Sequence, residues 1–120
     1  MTAGQNFAIP DEMTMLETFG VEPVEARPGD TYWCYKFTDA NHVTLKLSWN
    51  IIEKSLQITV SANDRTIAII SREGDLNLTP ITYKDGLGLE GEFCDGGKNT
   101  TIRIRVQPDI KVGWYTLAND

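Results

Sequence analysis

From Thr31 onward apolar and polar residues alternate with a period of two, and that pattern restricts the chain to β-structure. Trp33, Tyr35 and Phe37 share one phase; Tyr32, Cys34 and Lys36 share the other. Val43, Leu45, Leu47 and Trp49 alternate with Thr44, Lys46 and Ser48. Leu56, Ile58, Val60 and Ala62 alternate with Gln57, Thr59 and Ser61. Successive side chains of a strand point to opposite faces, so each run reads as a half-buried strand. The turns between them set the expected pairing. A three-residue loop at Asp39-Ala40-Asn41 sets Phe37 against Val43, Tyr35 against Leu45 and Trp33 against Leu47, with Asn41 in the left-handed position. A two-residue turn at Asn63-Asp64 sets Val60 against Ile67 and Ile58 against Ile69. The Asn50 to Ser55 link, which carries Ile51 and Ile52, reads as a bulge or wider loop.

The stretch LEGEFCDGGKNTTIRIRV, Leu89 to Val106, admits several chemistries and is best explained as a hairpin. A turn centred on Gly97-Lys98 sets Phe93 against Ile102, Gly91 against Ile104 and Leu89 against Val106. Glu92 then meets Arg103, and Glu90 meets Arg105, a ladder of opposite charges on the second face. A phosphate loop needs Gly-x-x-x-x-Gly-Lys-Ser/Thr between a strand and a helix; here Asn99 follows Lys98 and no helical period follows. The triplets at Asn77 and Asn99 match a glycosylation acceptor by chance.

Around these hairpins the chain is less regular. LNLTPITYKDGLG reads as a short strand at Leu76 to Leu78, a break at Pro80, a second piece at Ile81 to Tyr83 and a turn at Asp85-Gly86. VGWYTL is the last strand. At the front, residues 1–9 read as a loose arm. PDEMTMLETFG reads as one helix: Pro10 suits a first turn, Asp11 and Glu12 suit its N-terminus, and Gly20 ends it. Met15, Leu16 and Phe19 form its packing stripe. VEPVEARPGD reads as an extended connector without a regular element. The expectation is a mainly β fold of roughly six to eight strands, an antiparallel meander forming a curved sheet or small sandwich, with one short N-terminal helix over a side or end. Residues 1–120 form a single domain: an acidic arm, helix and connector over 1–30, and an antiparallel β domain over 31–120.

The net charge is −6 and it is unevenly spread. Residues 1–30 hold Asp11, Glu12, Glu17, Glu22, Glu25 and Asp30 against Arg27 alone, a local charge of −5, which leaves −1 for the rest. Nucleic acid and membrane surfaces both require clustered Lys and Arg, so neither is expected as a partner. An acidic segment steers a basic protein into encounter. The expected partner-binding residues are Glu12, Glu17, Glu22, Glu25 and Asp30, with Tyr32 as an aromatic anchor.

No catalytic, cofactor or metal site is expected. His42 is the single histidine and has no ligand spacing with a cysteine or carboxylate. Cys34 and Cys94 lack a Cys-x-x-Cys arrangement and an activating base, and read as sheet-face residues. Glu90 and Glu92 have arginine partners in the hairpin. Trp33, Trp49 and Trp114 lie in phase with apolar neighbours, so most of them belong to the core; Tyr32 and Tyr115 fall on the opposite phase. The start has no basic n-region or apolar h-region, and no apolar run reaches spanning length, so a cytoplasmic protein with reduced thiols is expected.

The acidic chain, the helix before the YWCYKF hairpin, the meander VTLKLSWN…SLQITVSANDRTIAIISREG and the closing RIRVQPDIKVGWYTL resemble immunity proteins of bacterial toxin systems, including contact-dependent inhibition. The resemblance covers most of the chain and is one of overall character. It implies a cytoplasmic antitoxin that binds a cognate toxin, often a nuclease, and blocks its active site with acidic side chains in place of phosphate. Two other readings stand beside it. One is a small-molecule-binding barrel or sandwich with Trp33 and Trp49 lining a pocket; the other is a structural subunit of a phage or secretion assembly.

Overall fold

The computed structural model describes residues 7–95 and 97–118. Among them ten strands form two five-stranded sheets. In chain order they are β1 (Phe7–Ala8), β2 (Glu25–Arg27), β3 (Tyr32–Thr38), β4 (Val43–Asn50), β5 (Ser55–Ala62), β6 (Arg65–Glu73), β7 (Leu76–Tyr83), β8 (Gly86–Asp95), β9 (Lys98–Gln107) and β10 (Lys111–Ala118). One sheet runs β1-β7-β8-β9-β10 and the other β2-β3-β4-β5-β6, antiparallel throughout except for the parallel β1–β7 pair. The mainly β reading therefore holds, in its sandwich form.

The alternating residues explain why two sheets close on each other. Tyr35, Phe37, Leu45, Leu47, Trp49 and Ile58 come from one inner face; Leu76, Leu78, Leu89, Phe93, Ile102 and Ile104 come from the other. All are buried in one cluster, which is the arrangement of a β-sandwich core. The helix α1 (Glu12–Phe19) closes over this core. Asp11 caps it by accepting the Thr14 N–H at 2.8 Å, and Gly20 ends it in the left-handed region at φ 70°. Met15 and Phe19, four residues apart, are buried, and the Phe19 ring meets Phe37 edge-on at 5.6 Å. Leu16 does not join them: it is 42% exposed, one residue round from the seam, and an eight-residue helix seats only a narrow stripe.

Two of the expected registers, β3–β4 and β8–β9, are displaced by two residues, for identifiable reasons. In the β3–β4 hairpin Phe37 opposes Leu45, Tyr35 opposes Leu47 and Trp33 opposes Trp49. The loop holds four residues because Asp39 Oδ1 accepts the N–H of both Asn41 and Val43, and His42, not Asn41, takes the left-handed conformation at φ 64°. In the β8–β9 hairpin Asp95 opposes Lys98, so Gly91 faces Ile102, Leu89 faces Ile104 and Phe93 faces Thr100. Glu90 now pairs Arg103 at 2.8 Å, Glu92 faces Thr101, and Arg105 binds Asp85 and Asp109 instead. A slip of two preserves which face each residue occupies, so the predicted inner rows survive.

Other expectations are corrected outright. Asn63 and Asp64 do form a tight turn, at φ 51° and 65°, but a bulge between Val60 and Ser61 pairs Val60 with Ala68 and Ile58 with Ile70. Ile67 and Ile69 are left 63% and 59% exposed on an edge strand that the bulge interrupts. Pro80 does not break β7: β1 pairs only Leu76 and Asn77, so β7 is a sheet edge at the proline and loses no partner there. The connector is not irregular, since Glu25–Arg27 pairs with β3 and Pro28–Asp30 forms a 3₁₀ turn. The supposed loose arm is structured at Phe7–Ala8; residues 1–6 lie outside the described residues. Of the tryptophans only Trp49 is fully buried, Trp33 is half-buried, and Trp114 is 53% exposed. Trp114 opposes the inner-face residue Ile102, but β10 is an edge strand, and the indole lines a groove of about 430 Å³ beside Ile69 and Val112.

Candidate partner-binding surface

The outer face of the β2–β6 sheet is polar because its phase of the alternation is polar. The register aligns Arg27, Tyr32, Asn50, Ser55 and Glu73 in one cross-strand row, and Glu25, Cys34, Ser48, Gln57 and Ser71 in the next. Two turns stand at this end of the sheet, the 3₁₀ turn and the Asn50–Ser55 loop. Thr31, left-handed at φ 51°, ties them: its carbonyl accepts the Ile51 N–H at 3.0 Å and its hydroxyl accepts the Ile52 N–H at 3.1 Å. Asn50 Oδ1 accepts the Glu53 N–H at 3.0 Å and tightens the loop. Together they bound a groove of about 860 Å³ whose lining includes Ser48, Gln57 and Ser71, the carboxylates Asp30, Glu53 and Glu73, and the guanidinium groups of Arg27 and Arg72. Those three carboxylates make no ion pair among the described residues. The Arg27 guanidinium lies 4.5 Å from the centre of the Tyr32 ring and 3.3 Å from Glu25. Burial raises the pKa of the Tyr32 phenol above its ordinary value.

The residues singled out from the sequence divide between two places. Glu25, Asp30 and Tyr32 meet at or beside the groove. Glu12, Glu17 and Glu22 belong to α1 and the segment after it, all exposed. Glu12 is also engaged, accepting the Trp33 indole N–H at 2.8 Å. Glu53 and Glu73 escape a reading of the sequence, because they lie 20 positions apart and only the β5–β6 pairing brings them to one rim. No local signal marks them.

Farther along the same face, Lys36 on β3 lies directly opposite Lys46 on β4, and both are exposed. The row continues through Thr59 to Ile69. Cys34 is buried between these regions as a free thiol, and burial raises its pKa. Cys94 is exposed, with its thiol 3.1 Å from Asn99 Oδ1. His42 is exposed in the β3–β4 turn. Trp49 is committed to the core, 5.4 Å from the Tyr35 ring, and burial pushes the Tyr35 phenol up to about 12 with the nearby Glu12 and Asp11 charges adding to it. Among the described residues no three His, Cys, Asp or Glu side chains gather to hold a metal, and no helix is long and apolar enough to cross a membrane.

No protein-family model matches the chain, and no curated protein matches it closely enough to count as a relative. Its backbone is similar to that of a chain in the solved contact-dependent growth inhibition toxin–immunity protein complex from Klebsiella pneumoniae 342. The TM-score is 0.83, over 93% of this chain and 98% of that one, at 21% identity. At that identity the likeness shows the fold.

Proposed function

We propose that this chain is the immunity partner of a contact-dependent growth inhibition toxin, a non-enzymatic inhibitor that binds the toxin and blocks it. The observation that carries the reading is the backbone likeness to a chain of such a complex over almost the whole of both chains. Of the two roles in that kind of pair, the composition suits the inhibitor: a charge of −6, most of it in residues 1–30. The partner is a basic toxin, of the nuclease kind. Glu12, Glu17, Glu22, Glu25 and Asp30 stand in for phosphate against its Lys and Arg side chains, and Tyr32 anchors the contact. The two free thiols are consistent with action in the cytoplasm.

The experiment is co-production of this chain with the toxin domain encoded beside its own gene. The two are expected to co-purify, and cells making both are expected to grow where cells making the domain alone arrest. The association rate should fall as salt rises, because steering by separated charges is screened. A soluble toxin domain that neither binds this chain nor is restrained by it contradicts the reading.

A further inference from the structure

We propose that the outer face of the β2–β6 sheet is the docking face for the partner protein. It seats a basic group of the partner in the groove between Asp30, Glu53 and Glu73, and an acidic group on the Lys36–Lys46 pair. The proposal rests on the functional reading above and narrows it to one face.

The lysine pair is the first part of the argument. Like charges directly opposite on neighbouring strands repel. The register holds Lys36 and Lys46 in that relation, with Thr59 as the next side chain of the row. The chain has 17 Asp and Glu side chains, yet among the described residues none forms an ion pair with Lys36 or Lys46. A partner carboxylate laid across both ammonium groups removes the repulsion, so the bound state gains what the free state lacks.

The second part is the opposite sign at the other end. Four residues along β3 separate Lys36 from Tyr32, whose row ends at Glu73, so the two charged regions lie roughly 13 Å apart along the strand direction. The face between them offers Ser48, Gln57 and Ser71, hydroxyl and amide groups that suit a wet polar contact. This pattern selects its occupant. A polyanion such as nucleic acid meets the rim carboxylates, and a uniformly basic segment meets the lysines. A folded protein surface that presents a cation and an anion at that separation satisfies both, and charge complementarity of this kind fixes orientation as well as encounter. Glu25, Asp30 and Tyr32 then belong to this face, while Glu17 and Glu22 act at longer range.

The test measures binding of the toxin domain encoded beside this chain's gene, by interferometry, to wild type and three variants. Lys36→Glu/Lys46→Glu reverses the lysine pair. Glu73→Lys reverses one rim position. Glu92→Lys makes the same change of net charge on the outer face of the other sheet, where Glu92 opposes Thr101. All four side chains replaced are exposed, and circular dichroism melts establish that each variant is folded. The first two variants are expected to weaken binding by about tenfold each, and Glu92→Lys by less than about twofold. Equal losses for Glu73→Lys and Glu92→Lys would show that only net charge matters and overturn the proposal. So would wild-type affinity in the lysine variant. Failure of wild type itself to bind is a different result: it overturns the functional reading, and the docking face with it.

Discussion

Asp39 joins the two sheets through its carboxylate. Oδ2 accepts the N–H of Ile110, just before β10, at 2.8 Å, while Oδ1 accepts the N–H of Asn41 at 2.9 Å and of Val43 at 3.0 Å. Asp39→Ala removes all three bonds. The Asn41 N–H is exposed and rehydrates freely. Those of Val43 and Ile110 are part-buried, and each loses a charge-assisted bond worth about 1–1.5 kcal/mol after allowance for solvent screening. The expected loss is about 2–3 kcal/mol, or a fall in Tm of roughly 6–15 °C for a domain of this size. Asp39→Asn separates the contributions. Its amide oxygen can still serve Asn41 and Val43, but its NH₂ then opposes the Ile110 donor, so about half the loss should remain. Urea unfolding followed by tryptophan fluorescence and by far-ultraviolet circular dichroism measures both variants. Stabilities of Asp39→Ala and Asp39→Asn within about 0.5 kcal/mol of wild type would refute the claim that this carboxylate ties the sheets. The pH dependence has a definite sign. The Ile110 N–H foremost holds the Asp39 carboxyl below its ordinary 3.8; burial, second in size, opposes it, and the N–H groups of Val43 and Asn41 and the His42 charge add to the lowering. A depressed carboxylate stabilises the fold above its unfolded pKa and loses that contribution as pH falls through its folded one. The gap between wild type and Asp39→Asn should therefore be full at neutral pH and close progressively below about pH 4.

Three further outcomes follow from packing and exposure. Leu47, fully buried on β4 between Tyr35 and Ile58, should cost about 3 kcal/mol when replaced by alanine, read from the urea midpoint. A β-carbon on Gly88 would overlap the Ile104 carbonyl oxygen at the β8–β9 irregularity. Gly88→Ala should therefore lose about 3 kcal/mol or more in the same assay, whereas alanine at Gly29, where a β-carbon meets open space, should change stability little. With a disulfide-exchange reagent at pH 8, the exposed Cys94 should react in the native protein and the buried Cys34, its thiol pKa raised, only on unfolding. Two fast thiols would contradict the burial of Cys34.

The faces of the strands were legible in the sequence, and the registers were not. Alternation states which side Leu45 or Ile104 takes, and a slip of two residues leaves that answer unchanged. The length of the β3–β4 loop depends on where the Asp39 carboxylate finds its donors, one of them at Ile110, 71 positions away, which no local window contains. The bulge at Val60/Ser61 was hidden because Ile67-Ala68-Ile69-Ile70 reads as apolar in either phase. Glu25–Arg27 carries no apolar period, so β2 is visible only through its pairing with β3. Pro80 reads as a break because edge position, which tolerates it, is a property of the sheet. The candidate surface divides in the same way. The sequence carries Glu25, Asp30 and Tyr32 close together, while Glu53, Glu73 and the apposition of Lys36 with Lys46 come from pairing alone.

The polar outer face of the β2–β6 sheet is the proposed meeting place of this chain and its partner. Carboxyl footprinting with a water-soluble carbodiimide and an amine tag, read by mass spectrometry with and without the toxin domain, tests it directly. Glu25, Asp30, Glu53 and Glu73 are expected to lose reactivity together in the complex while Glu92 keeps its own. Protection confined to Glu92 and its neighbours on the other sheet, or a complex in which all five carboxylates label as they do in the free chain, would contradict it.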